Sequence, residues 1–182
     1  MLELSSLGPF PCVVADPAWQ PTLHANNPRR ATKDKSGPQK HYQTLSVEEI
    51  CQLVPPTTDN AHLYLWVINQ HVDWGYQVAR AWGFEPQQMI TYCKPGLGTG
   101  RWQCNTEHFL VCRKGKLAFG QGLKKWESPT HGTYFQWSRG RHSEKPKEMF
   151  DLVETLSPGP RLEMFARKPR DGWTVWGDQC GA

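Results

Sequence analysis

The sequence predicts an α/β sandwich on a mostly parallel central sheet. Three observations carry that prediction: short β-favouring apolar runs alternate with helical spacings, one run is nearly continuous in apolar residues, and proline or glycine closes most segments. A chain of 182 residues, 38% hydrophobic and 12% aromatic, can bury roughly two thirds of its unfolded surface. One domain over residues 1–182 is therefore expected.

Cys12 to Ala15 is a short apolar run that stops at Asp16 and Pro17. Proline cannot continue a ladder and starts a loop, so a strand should deliver Asp16 to its carboxyl end. Residues 20–41 are polar and rich in Pro, Asn, Lys and Arg, a composition of surface loops, whether merely solvated or closing over a substrate. Ser46 and Glu49 have capping-box spacing, which starts a helix running to about Leu53 before Pro55 and Pro56 forbid it. His62 to Ile68 reads as a central strand covered on both faces. Helical spacing from Val72 to Trp82 ends at Gly83, and Gln88 to Cys93 returns to strand character.

A glycine-rich turn from Pro95 to Gly100 leads to a strand around Phe109 to Arg113, and a loop without periodicity follows up to Arg141. Lys145 to Leu156 is a helix with proline in its first turn, ended by Ser157 to Pro160 before a strand from Arg161 to Ala166. No internal repeat is present. Open sheets of this class bind ligands outside the carboxyl ends of their strands, which is where Asp16 should lie.

Lys and Arg number 21 against 17 Asp and Glu, a formal charge of +4 that suits a polyanionic partner without demanding one. The six cysteines form no C-x-x-C pair, so neither a disulfide framework nor a zinc knuckle is written in their spacing, and reduced thiols in a cytoplasm are expected. Cys104, His108 and Cys112 recur every four residues, but Glu107 to Cys112 reads better as a strand than as a metal-binding helix face, so no metal is expected. No run approaches the ~20 apolar residues that cross a bilayer, and no basic flank leads into an apolar N-terminal run.

The chemistry concentrates at Asp16, Pro17, Ala18 and Trp19, whose composition suits methylation of an amine. The exocyclic amine of adenine is a poor nucleophile because its lone pair is spread into the ring. Acceptors on its two hydrogens, the Asp16 carboxylate and the Pro17 carbonyl, pull the nitrogen toward tetrahedral geometry and aim the lone pair. Trp19 offers a face for an extruded base, and a carboxylate or aromatic face favours the cationic sulfur that carries the methyl group. The same residues also occur at ordinary strand-to-loop turns, where Asp caps and Trp packs.

In that context the chain resembles the adenine-N6 methyltransferase family typified by the seventy-kilodalton catalytic subunit of the eukaryotic mRNA methyltransferase, its bacterial and phage members most of all. The resemblance runs from about Val13 to Gln179. It is carried by Asp16 to Trp19, His41 to Ser46, Leu63 to Val67, Lys94 to Gly100, Glu107 and His108, His142 to Pro146, Leu156 to Gly159, Leu162 to Arg167, and Trp173 to Gln179. It implies a Rossmann-like S-adenosylmethionine-dependent fold in permuted order, the catalytic loop first and the cofactor strand last, so that the late strand lies beside the early one. By the same resemblance Asp16, Pro17, Ala18 and Trp19 are catalytic. Asp16, Pro17, Lys145, Glu163, Phe165, Arg167, Arg170, Asp178 and Gln179 hold the cofactor, and Trp19, Tyr42, Glu107 and Lys145 meet the nucleic acid.

Lys145 also makes physical sense at a helix start, where an ammonium and the helix N-terminus together suit a carboxylate or phosphate. Glu107 is read as a residue holding the amine, or as a strand-edge glutamate paired with a lysine, and Tyr42 as lining the acceptor base or packing. Lys33, Lys35, Lys40, Arg139 and Arg141 could track phosphates or be solvated. The resemblance implies DNA before RNA as acceptor, a bacterial or phage-infected cytoplasm, and a monomer, a homodimer or a pair with a methyltransferase-like subunit. A non-catalytic nucleic-acid-binding subunit is the alternative.

The chain departs from the family pattern at Ala18, where proline is usual. Alanine frees one φ angle and adds an amide donor, a change of about 1 kcal/mol in loop ordering. Because little precedes the first strand, a segment covering the cofactor is expected to be lacking.

Overall fold

The computed structural model describes residues 3–20, 44–96, 103–120, 132–138, 144–178 and 180. The expected loop 20–41 falls almost entirely outside them, as does most of the glycine-rich turn.

Among the described residues, seven strands form one sheet: β1 (Phe10–Ala15), β2 (Thr57–Val67), β3 (Glu85–Cys93), β4 (Thr106–Lys114), β5 (Tyr134–Gln136), β6 (Arg161–Met164) and β7 (Trp173–Trp176). Their order is β5-β3-β4-β2-β1-β6-β7. All pairings are parallel except those of β4, which runs antiparallel to β2 and β3. The expected mostly parallel sheet is present. The reversed strand follows from connection length: β3 folds back on β4 directly, and without a crossover the return strand must be antiparallel.

The early and late strands are neighbours, with Val14 opposite Glu163 and Ala15 opposite Met164. Strand alternation then sorts the core into two layers. Val13, Ala15, Leu63 and Leu65 pack with α1 (Val47–Gln52) and α2 (Val72–Ala81), while Cys12, Val14, Tyr64 and Trp66 pack with Met149, Phe150 and Val153 of α3 (Lys147–Leu156). Helices therefore cover both faces, which explains why β2 is buried residue after residue from Ala61 to Val67.

The capping box at α1 is formed by Ser46 and Glu49 as their spacing predicts. Gly83 closes α2 with φ 80°, a left-handed conformation that favours glycine. The indole N–H of Trp82 ties α2 to α1 by donating to the Ile50 carbonyl at 3.0 Å.

Three elements differ from expectation. The short strands β5 and β7 lie where no strand was assigned, because three or four residues cannot establish a period of two. Helix α3 begins at Lys147 with Pro146 as its N-cap. Proline's φ suits a helix start, but here it occupies the extended capping position, and Lys145 stands outside the helix.

Candidate active site

β1 ends at Ala15, so Asp16 emerges at the carboxyl end of a central strand, beside the ends of β2 and β6. The turn after it is held by backbone bonds. The Trp19 N–H donates to the Pro17 carbonyl at 2.9 Å, the Leu45 N–H to the Ala18 carbonyl at 2.9 Å, and the Gln20 N–H to the Leu45 carbonyl at 2.9 Å. One lone pair of the Pro17 carbonyl is thus already used. The clamp on Ala18 engages its carbonyl, so alanine in place of proline leaves that hold intact.

Trp19 takes the packing role. It is only 8% exposed, its indole N–H donates to the Trp66 carbonyl at 3.1 Å, and its ring leans on His71 and Trp74 with centroids at 6.1 and 6.4 Å. This corrects the expectation of an open stacking face. Burial against two rings, with the N–H satisfied, outweighs exposure of so large an apolar surface.

Lys145 is the centre of the site's electrostatics. Its ammonium donates to Asp16 Oδ1 at 3.0 Å and to Glu107 Oε2 at 3.3 Å, and lies 4.7 Å from the centre of the Trp66 ring. Glu107 is also paired with Lys94, through its other oxygen. Carboxylates and ammoniums therefore alternate from Asp16 through Lys145 and Glu107 to Lys94.

The consequences differ along that chain. Burial raises the Asp16 pKa, more than Lys145 lowers it, and the like charge of Glu107 adds to the rise. Burial also pushes Glu107 upward, but Lys145 and Lys94 outweigh it and hold Glu107 below its ordinary value. Lys145 is drawn down by burial and up more strongly by its two carboxylates, so it stays protonated. The expectation of Lys145 as an anion site at a helix start is corrected accordingly: its partners are two carboxylates of this chain.

A cavity of about 240 Å³ opens beside Asp16. Among the residues lining it are Trp66, Phe150, Glu163, Phe165, Arg167 and Arg170. Glu163 lies on β6 and receives the Arg170 Nε–H at 2.7 Å, while the Arg170 guanidinium sits 3.3 Å above the Phe150 ring. Phe165 has φ 61°, a left-handed conformation unusual for a non-glycine residue, and it turns the chain at the end of β6. Gly177 permits a close approach, since a Cβ there would meet the Ala166 carbonyl oxygen at 2.2 Å.

Asp16, Lys145, Glu163, Phe165, Arg167 and Arg170 are thus brought together around one cavity, with Glu107 joined to it through Lys145. Asp178 is exposed beyond β7 and is not among the lining residues. Gln179, Tyr42, Arg139 and Arg141 lie outside the described residues, as do Lys33, Lys35 and Lys40. Sequence reasoning missed Trp66, Lys94 and the pair formed by Glu144 and Lys168 at the cavity wall. Trp66 and Lys94 stand within motifs that carry the resemblance, which was the available signal. Both ring nitrogens of His108 are engaged, by Thr91 at 3.1 Å and Asn69 at 2.8 Å, as suits a residue on β4.

A family model described as MT-A70 matches residues 10–179. The N(6)-adenosine-methyltransferase catalytic subunit METTL3 of Homo sapiens is 30% identical over 198 residues, covering 98% of this chain and 29% of its own length. The type II methyltransferase M.MunI of Mycoplasma sp is 31% identical over 141 residues, covering 75% of this chain and 58% of its own length. The N(6)-adenosine-methyltransferase MT-A70-like protein of Drosophila melanogaster is 28% identical over 194 residues, with 98% of this chain and 28% of its own length covered. The chain thus spans less than a third of the human and fly relatives.

Proposed function

The chain belongs to the MT-A70 family, and from that premise we propose that it transfers a methyl group from S-adenosylmethionine to the N6 amine of adenine in a nucleic acid. The observation that carries the reading is Asp16, a carboxylate at a strand's carboxyl end that lines a cavity together with Glu163 and is held by Lys145.

The donor set around the cavity suits the cofactor. Glu163 provides acceptors for ribose hydroxyls, Arg167 and Lys168 provide cations for a carboxylate, and Trp66 and Phe165 provide faces for a sulfonium. Asp16, Glu163, Phe165, Arg167 and Arg170 would hold it, with Asp178 and Gln179 nearby in sequence. When bound, the cofactor supplies an electrophilic methyl group on a positively charged sulfur.

The protein's own part is orientation and proton traffic. Asp16 accepts an N–H of the acceptor amine and the free lone pair of the Pro17 carbonyl accepts the other, which concentrates the nitrogen lone pair in one direction. Burial makes Asp16 a stronger proton acceptor than an ordinary aspartate, so the proton released as the amine becomes alkylated passes to its carboxylate. Lys145 keeps Asp16 and Glu107 from repelling one another. DNA is the acceptor polymer proposed, on the resemblance to bacterial and phage members; the N(6)-adenosine-methyltransferase METTL3, matched over 98% of this chain, keeps RNA as the second reading. The setting proposed is a bacterial or phage-infected cytoplasm, on the resemblance to bacterial and phage members of the family.

Transfer of labelled methyl to adenine-containing DNA and RNA tests the reading. Label on N6-methyladenine supports it, and the preferred polymer decides the acceptor. Absence of both label and cofactor binding would favour a non-catalytic nucleic-acid-binding subunit.

A further inference from the structure

Lys94 and Glu107 face each other across the β3–β4 hairpin. Tyr92 pairs with Glu107 and Cys93 with Thr106, and the Lys94 N–H donates to the Asn105 carbonyl at 2.7 Å, so the backbone sets Lys94 diagonally beside Glu107. The Lys94 ammonium takes Oε1 of Glu107 and the Lys145 ammonium takes Oε2. Lys94 and Asp16 end the chain of charges with side chains 32% and 30% exposed, and Glu107 and Lys145 lie between them at 17% and 14%.

We propose that Lys94 is a positioning residue for methyl transfer: by holding one oxygen of Glu107, it keeps the other on Lys145 and leaves Lys145 seated on Asp16. Counting charges shows why. Asp16, Lys145 and Glu107 carry one net negative charge between them; Arg167 acts on the Asp16 end from the cavity side and Lys94 compensates the Glu107 end. Without Lys94, Glu107 draws Lys145 toward itself, the 3.0 Å contact to Asp16 lengthens, and Asp16 holds its proton to higher pH. A protonated Asp16 cannot accept from the amine. No atom of Lys94 needs to touch the acceptor base for this effect.

The proposal rests on the reading of Asp16 and Glu107 given above. Its test compares Lys94→Met and Lys94→Arg with the wild type in methyl transfer across pH, alongside carboxyl NMR titration of Glu107 in carbon-13-labelled protein. Lys94→Met should lose about tenfold in kcat, with the cofactor KM unchanged and the acid limb about one pH unit higher, and Lys94→Arg should restore both. Glu107 should titrate at higher pH in Lys94→Met. A wild-type rate and pH profile in Lys94→Met, or equal loss in Lys94→Arg, would overturn the proposal. The NMR arm needs no turnover: an unmoved Glu107 titration overturns the role of Lys94 even if the wild type transfers no methyl group, a result that instead counts against the functional reading.

Discussion

Lys145 joins Asp16 of the strand-end turn to Glu107 of β4, at 3.0 and 3.3 Å. Residues far apart in the chain thereby share one ammonium, and removing it leaves two poorly solvated carboxylates facing each other. Lys145→Met should lose roughly 2–3 kcal/mol of stability, less than a fully buried pair because the Asp16 side chain is 30% exposed. It should also raise the apparent KM for cofactor or acceptor. Urea unfolding and steady-state rates check both.

Asp16→Ala should abolish methyl transfer while leaving the circular dichroism spectrum unchanged. Because burial raises the Asp16 pKa above its ordinary 3.8, wild-type activity should fall as pH drops through that raised value, so the acid limb should lie above the ordinary aspartate range. Glu107 contributes oppositely: its lowered value adds stability above its ordinary 4.5 that is lost as pH falls through the folded-state value. A rate profile and a set of urea melts across acidic pH separate the two.

Trp19→Ala should cost about 3 kcal/mol through the cavity left beside His71 and Trp74. Transfer should fall at least tenfold because the turn loses its anchor on Trp66. Trp19→Phe keeps one ring in place, loses the indole hydrogen bond and leaves a smaller cavity than alanine, about 2 kcal/mol in all. A near-normal rate for Trp19→Phe would show that the indole bond to Trp66 is not what positions the turn.

Much of this was legible in the sequence, and the exceptions have physical causes. The strand ending at Asp16, the capping box at Ser46 and the stop at Gly83 follow from local chemistry that proline, serine, glutamate and glycine carry themselves. The direction of β4 does not, since an apolar run has the same pattern read either way. Trp19 was ambiguous because a ring that packs and a ring that stacks are the same residue. Lys145 and Glu107 were legible as site residues, but their shared ion pair and the part of Lys94 depend on contacts between positions distant in the chain.

Ala18→Pro should raise activity or leave it unchanged, with up to about 1 kcal/mol gained in loop ordering. The Leu45 clamp engages the Ala18 carbonyl, which proline retains. A loss of activity would show that the turn needs the freedom of alanine.

Gly177→Ala should weaken cofactor binding about tenfold, because the added carbon would lie 2.2 Å from the Ala166 carbonyl oxygen and 2.8 Å from its amide nitrogen. Backbone at the end of β6, next to Phe165, must then shift. Calorimetric titration with S-adenosylmethionine measures the effect.

The central claim is that the Asp16 turn and its cavity methylate adenine, and labelled transfer from S-adenosylmethionine to DNA and RNA, with wild type beside Asp16→Ala, tests it most directly. Label on N6-methyladenine with the wild type and none with Asp16→Ala is the predicted result. Equal label from both proteins would contradict the account.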